Sequence, residues 1–216
     1  MRSRFEEQLK QLGNEMIQMS ILIENAIQAS IEAFFSQNTE IANRIVLEDD
    51  LVDQAQKRIE GICLQLLIQQ QPVARDLRTI TAALKMVTDM ERIGDHAADI
   101  AELTIMMAGD SYKLKADNIK KMSAETTIML IQAIEAYVER DITKAKAVIL
   151  HDDIVDELFL NVKSDLIETI RKYPDYGEQA ADLLLVNKYL ERIGDHATNI
   201  AEWVIFSLDD HLVNQK

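Results

Sequence analysis

The sequence contains few of the residues that interrupt or cross-link a chain. Its 216 residues include two prolines, six glycines and one cysteine, and aromatic residues make up 5%. A single cysteine excludes an internal disulfide framework, and the scarcity of proline and glycine favours long uninterrupted helices. No segment approaches the roughly 18 consecutive apolar residues of a membrane span, and the first residues lack the apolar core of a signal peptide. We therefore expect a soluble, cytoplasmic, helical protein.

Positive charge is also scarce. Lysine and arginine number 23 against 37 aspartates and glutamates, which gives a formal net charge of −14. Such a surface repels the phosphates of nucleic acids and of anionic lipids, so neither a nucleic-acid partner nor membrane insertion is expected. The sequence also lacks a glycine-rich phosphate loop and a nucleophile turn. No catalytic residue is predicted, and we do not expect an enzyme.

An internal duplication dominates what the sequence does contain. The heptapeptide ERIGDHA occupies residues 91–97 and recurs at residues 191–197, and both copies continue to Ile-Ala-Glu. Farther upstream, residues 47–53 align with residues 150–156 at an offset of 103. Agreement at so many positions indicates that one unit was duplicated and that the repeated helix face was retained.

Each copy has the pattern of a three-helix unit. Apolar residues recur at helical spacing, whereas the alternation typical of strands is absent. The only prolines, Pro72 and Pro174, fall at corresponding places ahead of the heptapeptides, and each predicts a break between two helices. The sequence therefore predicts an all-α fold, a tandem duplication of a three-helix bundle with six long antiparallel helices. It leaves open whether the two bundles stack end to end or side by side.

The expected boundaries follow from these breaks and from two helix-capping residues. Asn38 and Asp141 precede apolar-periodic segments and are favourable N-cap residues. We expect a first repeat over residues 1–109 and a second over residues 115–216, with residues 109–114 as the linker. The six helices are expected at residues 3–36, 39–70, 74–108, 115–139, 142–172 and 176–208.

An acidic stripe is predicted on the third helix of each repeat, because residues three, four, seven and eight apart share one helix face. Its residues are Glu91, Asp95 and Asp99 in the first repeat and Glu191, Asp195 and Asn199 in the second. Like charges four residues apart destabilise a helix, and a glycine inside it costs about 1 kcal/mol relative to alanine. A bound multivalent cation would offset these costs, and Gly94 and Gly194 would leave room for it.

The second helix of each repeat carries aspartates that match this stripe. Asp49 and Asp53 are four residues apart, as are Asp152 and Asp156. If the second and third helices are antiparallel and turn near the prolines, these aspartates and the stripe lie at similar heights. The expected opposing positions are 51 with 93 and 154 with 193. The sequence therefore predicts one acidic site in each repeat.

Several cations suit such a site. Oxygen ligands favour magnesium, manganese, calcium or iron. Because His96, His151 and His196 lie nearby in the sequence, zinc is a candidate ion for the site as well. A ferritin-like ferroxidase needs Glu-x-x-His pairs and is disfavoured, because Glu91 and His96 are five residues apart. Two alternatives stay open. One is a metal-free adaptor whose acidic stripes dock basic partners, and the other is a metal-dependent hydrolase supported only by the carboxylates.

The motifs resemble those of the PhoU family of phosphate-signalling proteins. The resemblance rests on the two repeats, each with ERIGDHA-x-x-I-A-E in its last helix, and on the turn Gln-Pro-Val-Ala-Arg-Asp-Leu-Arg at residues 71–78. It covers essentially the whole chain. The second repeat lacks the Asp-Leu-Arg element around residues 175–179, so any role of Asp76 and Arg78 exists only once.

The resemblance implies a cytoplasmic regulator that represses the phosphate-starvation response when phosphate is plentiful. It implies an adaptor between the ATPase subunit of a phosphate ABC transporter and a sensor histidine kinase, a homodimer, and metal clusters at the acidic stripes. By this analogy one metal site consists of Glu91, Asp95, Asp99, Asp49 and Asp53. The other consists of Glu191, Asp195, Asn199, Asp152 and Asp156.

Overall fold

The computed structural model describes residues 2–69, 73–108 and 117–209, which form helices and short turns without a strand. The helices are α1 (Arg2–Ser36), α2 (Thr39–Gln69), α3 (Ala74–Met106), α4 (Asp117–Glu139), α5 (Ile142–Lys172) and α6 (Gly177–Leu208). The predicted all-α fold is confirmed, and the helix ends within these residues fall within two residues of their predicted positions. None of these helices is long and apolar enough to cross a membrane.

The predicted breaks can be followed in the second repeat only. Pro72, the linker 109–114 and the repeat boundaries at 109 and 115 lie outside the described residues, so the boundaries stay predictions. In the second repeat α5 ends before Pro174, which begins a short 3₁₀ turn, Pro174–Tyr176. Proline fixes φ and has no N–H to donate, so the helix stops there as predicted. The 3₁₀ turn itself was not predicted, because its sequence pattern does not differ from that of a helix start.

The junction between the first two helices has the same geometry in both repeats. Asn38 Oδ1 accepts hydrogen bonds from the N–H groups two and three residues later, both at 3.1 Å. Asp141 Oδ1 accepts the corresponding bonds at 2.8 and 3.1 Å. Both predicted N-caps are therefore confirmed. The preceding residues, Gln37 and Arg140, adopt the left-handed conformation with φ of 52° and 58° and close α1 and α4.

The two repeats lie side by side and share one hydrophobic core. Within each repeat every helix packs against the other two. Between the repeats, α3 lies along α6 over the most extensive helix–helix contact of the described residues, and α1 meets α4 less extensively. Buried residues from all six helices form one continuous cluster. The two helices that carry the heptapeptides are thus the central pair, with α2 and α5 packed against them.

Candidate functional site

Two glycine–valine contacts set the height at which the acidic helices meet. A Cβ atom on Gly94 of α3 would lie 3.0 Å from Val52 Cγ1 of α2. A Cβ on Gly194 of α6 would lie 3.2 Å from Val155 Cγ1 of α5 and 3.4 Å from Asp152 Oδ1. These contacts confirm the predicted antiparallel pairing but shift its register by two residues, since 52 with 94 corresponds to 51 with 95 rather than to the predicted 51 with 93. They also give the glycines a different main role from the expected one, because the missing side chain makes room for a valine of the neighbouring helix.

The first acidic face lies beside the Gly94 contact. We define it as Asp49 and Asp53 of α2 with Glu91, Asp95 and Asp99 of α3. The pKa of Asp49 is raised to about 6, first by burial and then by the charges of Asp95, Asp53 and, more weakly, Asp99. Burial also raises the pKa of Glu91, with Asp95 the strongest neighbouring charge and weaker contributions from Asp53 and Asp49. The structure therefore brings all five predicted carboxylates of the first repeat close together.

Basic side chains compensate part of this repulsion. Arg92 Nη1 donates to Asp95 Oδ2 at 2.8 Å, and Arg92 Nε lies 3.5 Å from Glu91 Oε2. Lys57 Nζ lies 3.7 Å from Asp53 Oδ2. Asp49 forms no ion pair with a described residue, which agrees with its raised pKa.

The second acidic face repeats the arrangement with four carboxylates. We define it as Asp152 and Asp156 of α5 with Glu191 and Asp195 of α6. The pKa of Asp152 is raised to about 6, first by burial and then by the charges of Asp156 and Asp195. Burial likewise raises the pKa of Asp195, followed by the charge of Glu191. Its ion pairs join Lys188 to Glu191 and, at 3.8 Å, Arg192 Nη1 to Asp195 Oδ2.

Asn199, the fifth predicted residue of the second site, bonds to α3 of the other repeat. Its Nδ2 donates to Asp89 Oδ1 at 3.2 Å, and His196 Nδ1 lies 2.8 Å from the same oxygen. Asp89 was missed by the sequence reasoning. Its spacing of seven from His96 places the two on one face of α3, but only the packing of α3 on α6 supplies its partners.

The equivalent position in the first repeat is built differently. His96 Nδ1 lies 3.1 Å from Asp99 Oδ2 on its own helix. The His96 ring stacks on Tyr189 of α6, with centroids 5.6 Å apart, and faces the His196 ring at 5.7 Å. Tyr189 occupies the place in α6 that Asp89 holds in α3, 100 residues earlier. The histidines of the two heptapeptides therefore meet in the interface between the repeats.

The donor set of each acidic face fits a hard cation, since it consists of partly buried carboxylates with excess negative charge. As the side chains stand, no three His, Cys, Asp or Glu residues in the described part of the chain are close enough together to hold one ion. Arg92 engages two carboxylates of the first face, and Lys188 engages one of the second. Binding an ion between three carboxylates at either face therefore requires side-chain rotations.

A pocket of about 220 Å³ adjoins the first acidic face, between α1, α2 and α3. Asp49, Val52 and Gly94 line it on one side, and Leu22 and Glu48 lie among its other walls. In the second repeat the positions aligned with these two residues are Glu125 and His151. There His151 Nε2 lies 2.7 Å from Glu125 Oε2, so a hydrogen-bonded pair joins α4 to α5 beside the second acidic face.

Comparison with known proteins shows that the same domain family matches both repeats. The profile of the PhoU domain matches residues 16–104 and again residues 119–204. A relative from Clostridium acetobutylicum, the phosphate-specific transport system accessory protein PhoU homolog, is 37% identical over 95% of this chain and 94% of its own. PhoU homolog 1 of Thermotoga maritima, another phosphate-specific transport system accessory protein, is 30% identical over 94% of this chain and 88% of its own.

A solved structure agrees over the same length. The crystal structure of PhoU from Pseudomonas aeruginosa superposes with a TM-score of 0.88 and 27% sequence identity. The match covers 94% of this chain and 98% of that one, so it includes both repeats and the packing between them.

Proposed function

The chain belongs to the PhoU family, and we propose that it is a negative regulator of phosphate uptake and phosphate-starvation signalling. It acts in the cytoplasm, without catalysis of its own, as a homodimeric adaptor between a phosphate ABC transporter and a sensor histidine kinase. The observation that carries this proposal is the similarity to accessory proteins of phosphate-specific transport systems, which extends over 95% of the chain. On the transporter, the contact is with the ATPase subunit.

The acidic faces serve in this proposal as cation sites. The first is formed by Glu91, Asp95, Asp99, Asp49 and Asp53, and the second by Glu191, Asp195, Asn199, Asp152 and Asp156. Iron, zinc, manganese or magnesium would supply positive charge among carboxylates that now raise one another's pKa. The support is electrostatic: a multivalent cation relieves repulsion that the existing ion pairs leave uncompensated.

The metal-free adaptor is the second candidate, and the ion pairs of the acidic faces favour it. Arg92 and Lys188 already contact carboxylates, and a basic partner residue can do the same. A metal-dependent hydrolase has no support beyond the carboxylates and the adjacent His96, which are groups that a structural cation site also contains. Absence of turnover on phosphomonoesters and phosphodiesters with added manganese, zinc or iron would remove it.

Elemental analysis of the purified protein separates the first two candidates. The test variant is Glu91→Gln, Asp95→Asn, Glu191→Gln, Asp195→Asn. A control that neutralises as many exposed carboxylates elsewhere is Glu135→Gln, Glu139→Gln, Asp165→Asn, Glu168→Gln. Stoichiometric metal in the parent and control, lost in the test variant, supports the cation sites. Equal metal content in all three proteins, or none even after reloading, with partner binding weakened only in the test variant, supports the metal-free adaptor.

The regulatory role is tested in the organism that encodes the chain. We expect deletion of the gene to raise phosphate uptake and transcription of phosphate-starvation genes in phosphate-rich medium, and re-expression to restore both. We expect the transporter ATPase subunit and a sensor kinase to co-purify with the tagged chain. Unchanged transcription after deletion, or the absence of both partners from the purified material, contradicts the proposal.

A further inference from the structure

An open groove of about 750 Å³ runs between α1 and α4, away from both acidic faces. It lies where the two repeats meet less extensively than along α3 and α6. Apolar side chains from both helices line it, namely Ile31, Phe35, Ile128 and Ile131. Ile128 is 39% exposed, which is a large fraction for an isoleucine beside a core.

The groove is long enough for a short helix. Its lining along α1 runs from Glu24 to Ser36, which corresponds to about 18 Å at 1.5 Å per residue. Lys120 Nζ lies 4.7 Å from the centre of the Phe35 ring and marks one end. A trough between two helices that is about three helical turns long matches the groove-binding mode of an amphipathic helix.

The floor of the groove offers few hydrogen bonds to a ligand. Thr127 Oγ1 donates to the carbonyl oxygen of Ser123 at 2.8 Å, so this hydroxyl is already engaged within α4. Gln28 Nε2 donates to Glu24 Oε1 at 3.2 Å on the rim. The occupant must therefore bind mainly through apolar contact, with polar contacts confined to the edges.

Charge on the rim selects the occupant. Glu24 and Glu32 line the groove along α1, eight residues and about 12 Å apart, and neither forms an ion pair with a described residue. Lys120 of α4 also lines the groove, but its ammonium group lies over the Phe35 ring at one end, so the negative charge is concentrated along α1. Nucleic acids and anionic membranes are negative and are repelled by these carboxylates and by the net charge of −14. Carboxylates beside an apolar floor instead complement a helix that carries lysine or arginine next to its apolar stripe.

We propose that the α1–α4 groove binds an amphipathic, basic helix of a partner protein. The helix places apolar residues at i, i+3 or i+4, and i+7 against Ile128 and Phe35, and basic residues seven or eight apart against Glu24 and Glu32. This proposal deepens the adaptor role proposed above by assigning it a docking surface, and it does not use the acidic faces.

Photo-crosslinking tests the occupant directly. A benzoylphenylalanine replaces Ile128 in the full chain, and the control carries it at Val138, which is 41% exposed on the same helix but does not line the groove. After irradiation of cells, mass spectrometry reads the crosslinked peptide. A segment with the apolar spacing and paired basic residues, obtained from Ile128 and not from Val138, supports the proposal. Crosslinks to a second copy, to a segment without basic residues, or at no higher yield than from Val138 overturn it.

A charge reversal tests whether the rim glutamates contribute to binding of the partner helix. With the crosslinker at Ile128, we expect Glu32→Lys to lower the yield at least tenfold, whereas Glu7→Lys, an equal change of charge at another exposed site on α1, leaves it unchanged. Equal yields in the two variants overturn the role of the rim. The regulatory proposal fails separately, because it is read from transcription and uptake after gene deletion, and those results do not depend on the groove.

Discussion

The two repeats share the packing that builds an acidic face but differ in what surrounds it. Gly94 over Val52 and Gly194 over Val155 form the same contact in both, and the aspartate one turn before each valine has a pKa of about 6. Beside the first face lies a pocket of about 220 Å³, whereas the second has a His–Glu hydrogen bond at the aligned positions. The duplication thus preserved the register of the helices more closely than the residues that surround each acidic face.

One difference between the repeats is compensated across their interface. Asp89 of α3 faces the second repeat, and there the fifth stripe residue is Asn199, which donates a hydrogen bond to it. Tyr189 of α6 faces the first repeat, and there the corresponding residue is Asp99. An aspartate at position 199 would face the Asp89 carboxylate and be repelled by it. The aspartate at position 99 instead faces Tyr189, which carries no negative charge at neutral pH, so no such repulsion arises there. The asymmetry of the stripes therefore follows from their neighbours on the opposite repeat.

The largest expected effect comes from filling the two glycine contacts. We expect Gly94→Val to lower the free energy of unfolding by about 3 kcal/mol and Gly194→Val by about 2 kcal/mol, since both force a side chain into a close-packed contact. The first contact is tighter, 3.0 Å against 3.2 Å. Urea denaturation measures both. Gly61→Ala is the control, because nothing lies within 4 Å of its added Cβ, and it should stabilise α2 by about 1 kcal/mol. An equal or larger loss at Gly194 would contradict the ranking.

Exchanging the stripe residues tests the compensation. Asn199→Asp should destabilise the protein by about 2 kcal/mol at pH 7, because a carboxylate replaces the donor that faces Asp89. Asp99→Asn, the reverse change in the first repeat, should stay within about 0.5 kcal/mol. Thermal and urea denaturation of the two variants give the comparison. Adding Asp89→Tyr to Asn199→Asp copies the pair found in the first repeat and should recover much of the loss. A double variant less stable than Asn199→Asp alone would refute the compensation.

The acidic faces predict a similar pH dependence in both repeats. The pKa of Asp49 and of Asp152 is raised from 3.8 to about 6, so the folded state holds these protons more tightly than the unfolded chain. The contribution of these two groups to stability is therefore fully present below the unfolded pKa and is lost as the pH rises from about 4 through about 6. Allowing for solvent screening at these partly exposed sites, we expect about 1 kcal/mol from each.

Asn variants isolate this dependence. With metal chelated, the difference in unfolding free energy between pH 4.5 and pH 7 should shrink by similar amounts in Asp49→Asn and in Asp152→Asn. Asp165→Asn, an exposed site outside both faces, is the control. A pH dependence unchanged in both test variants would show that these carboxylates titrate normally.

The smallest effect is expected at the helix junctions, where the repeats are most alike. Gln37→Gly and Arg140→Gly should each stabilise the protein by about 0.5 kcal/mol, because glycine adopts the left-handed conformation without steric cost. Calorimetric melting temperatures measure the gain. Asn38→Gly, one residue later at the N-cap, serves as a matched control and should not stabilise. A gain at only one junction would mean that the strain differs between the repeats.

The sequence by itself determined the helices, their caps and the register of the acidic residues. Scarce proline and glycine, apolar spacing and two matching N-caps are local features, and local features decide where a helix begins and ends. In the second repeat the distances from Pro174 to residues 154 and 193 likewise indicated that the two acidic pairs lie at similar heights, because an antiparallel turn leaves little choice. The family resemblance also came from the sequence, because the motifs that carry it are contiguous.

Only the tertiary structure decided how the repeats meet. The contacts of Asp89 with Asn199 and His196, the valines over the glycines and the groove between α1 and α4 all join residues far apart in the chain. Helical spacing tells which side chains share a face but not which helix covers that face. Two bundles stacked end to end would have satisfied the same pattern, and the side-by-side arrangement follows from the complementary surfaces of α3 and α6.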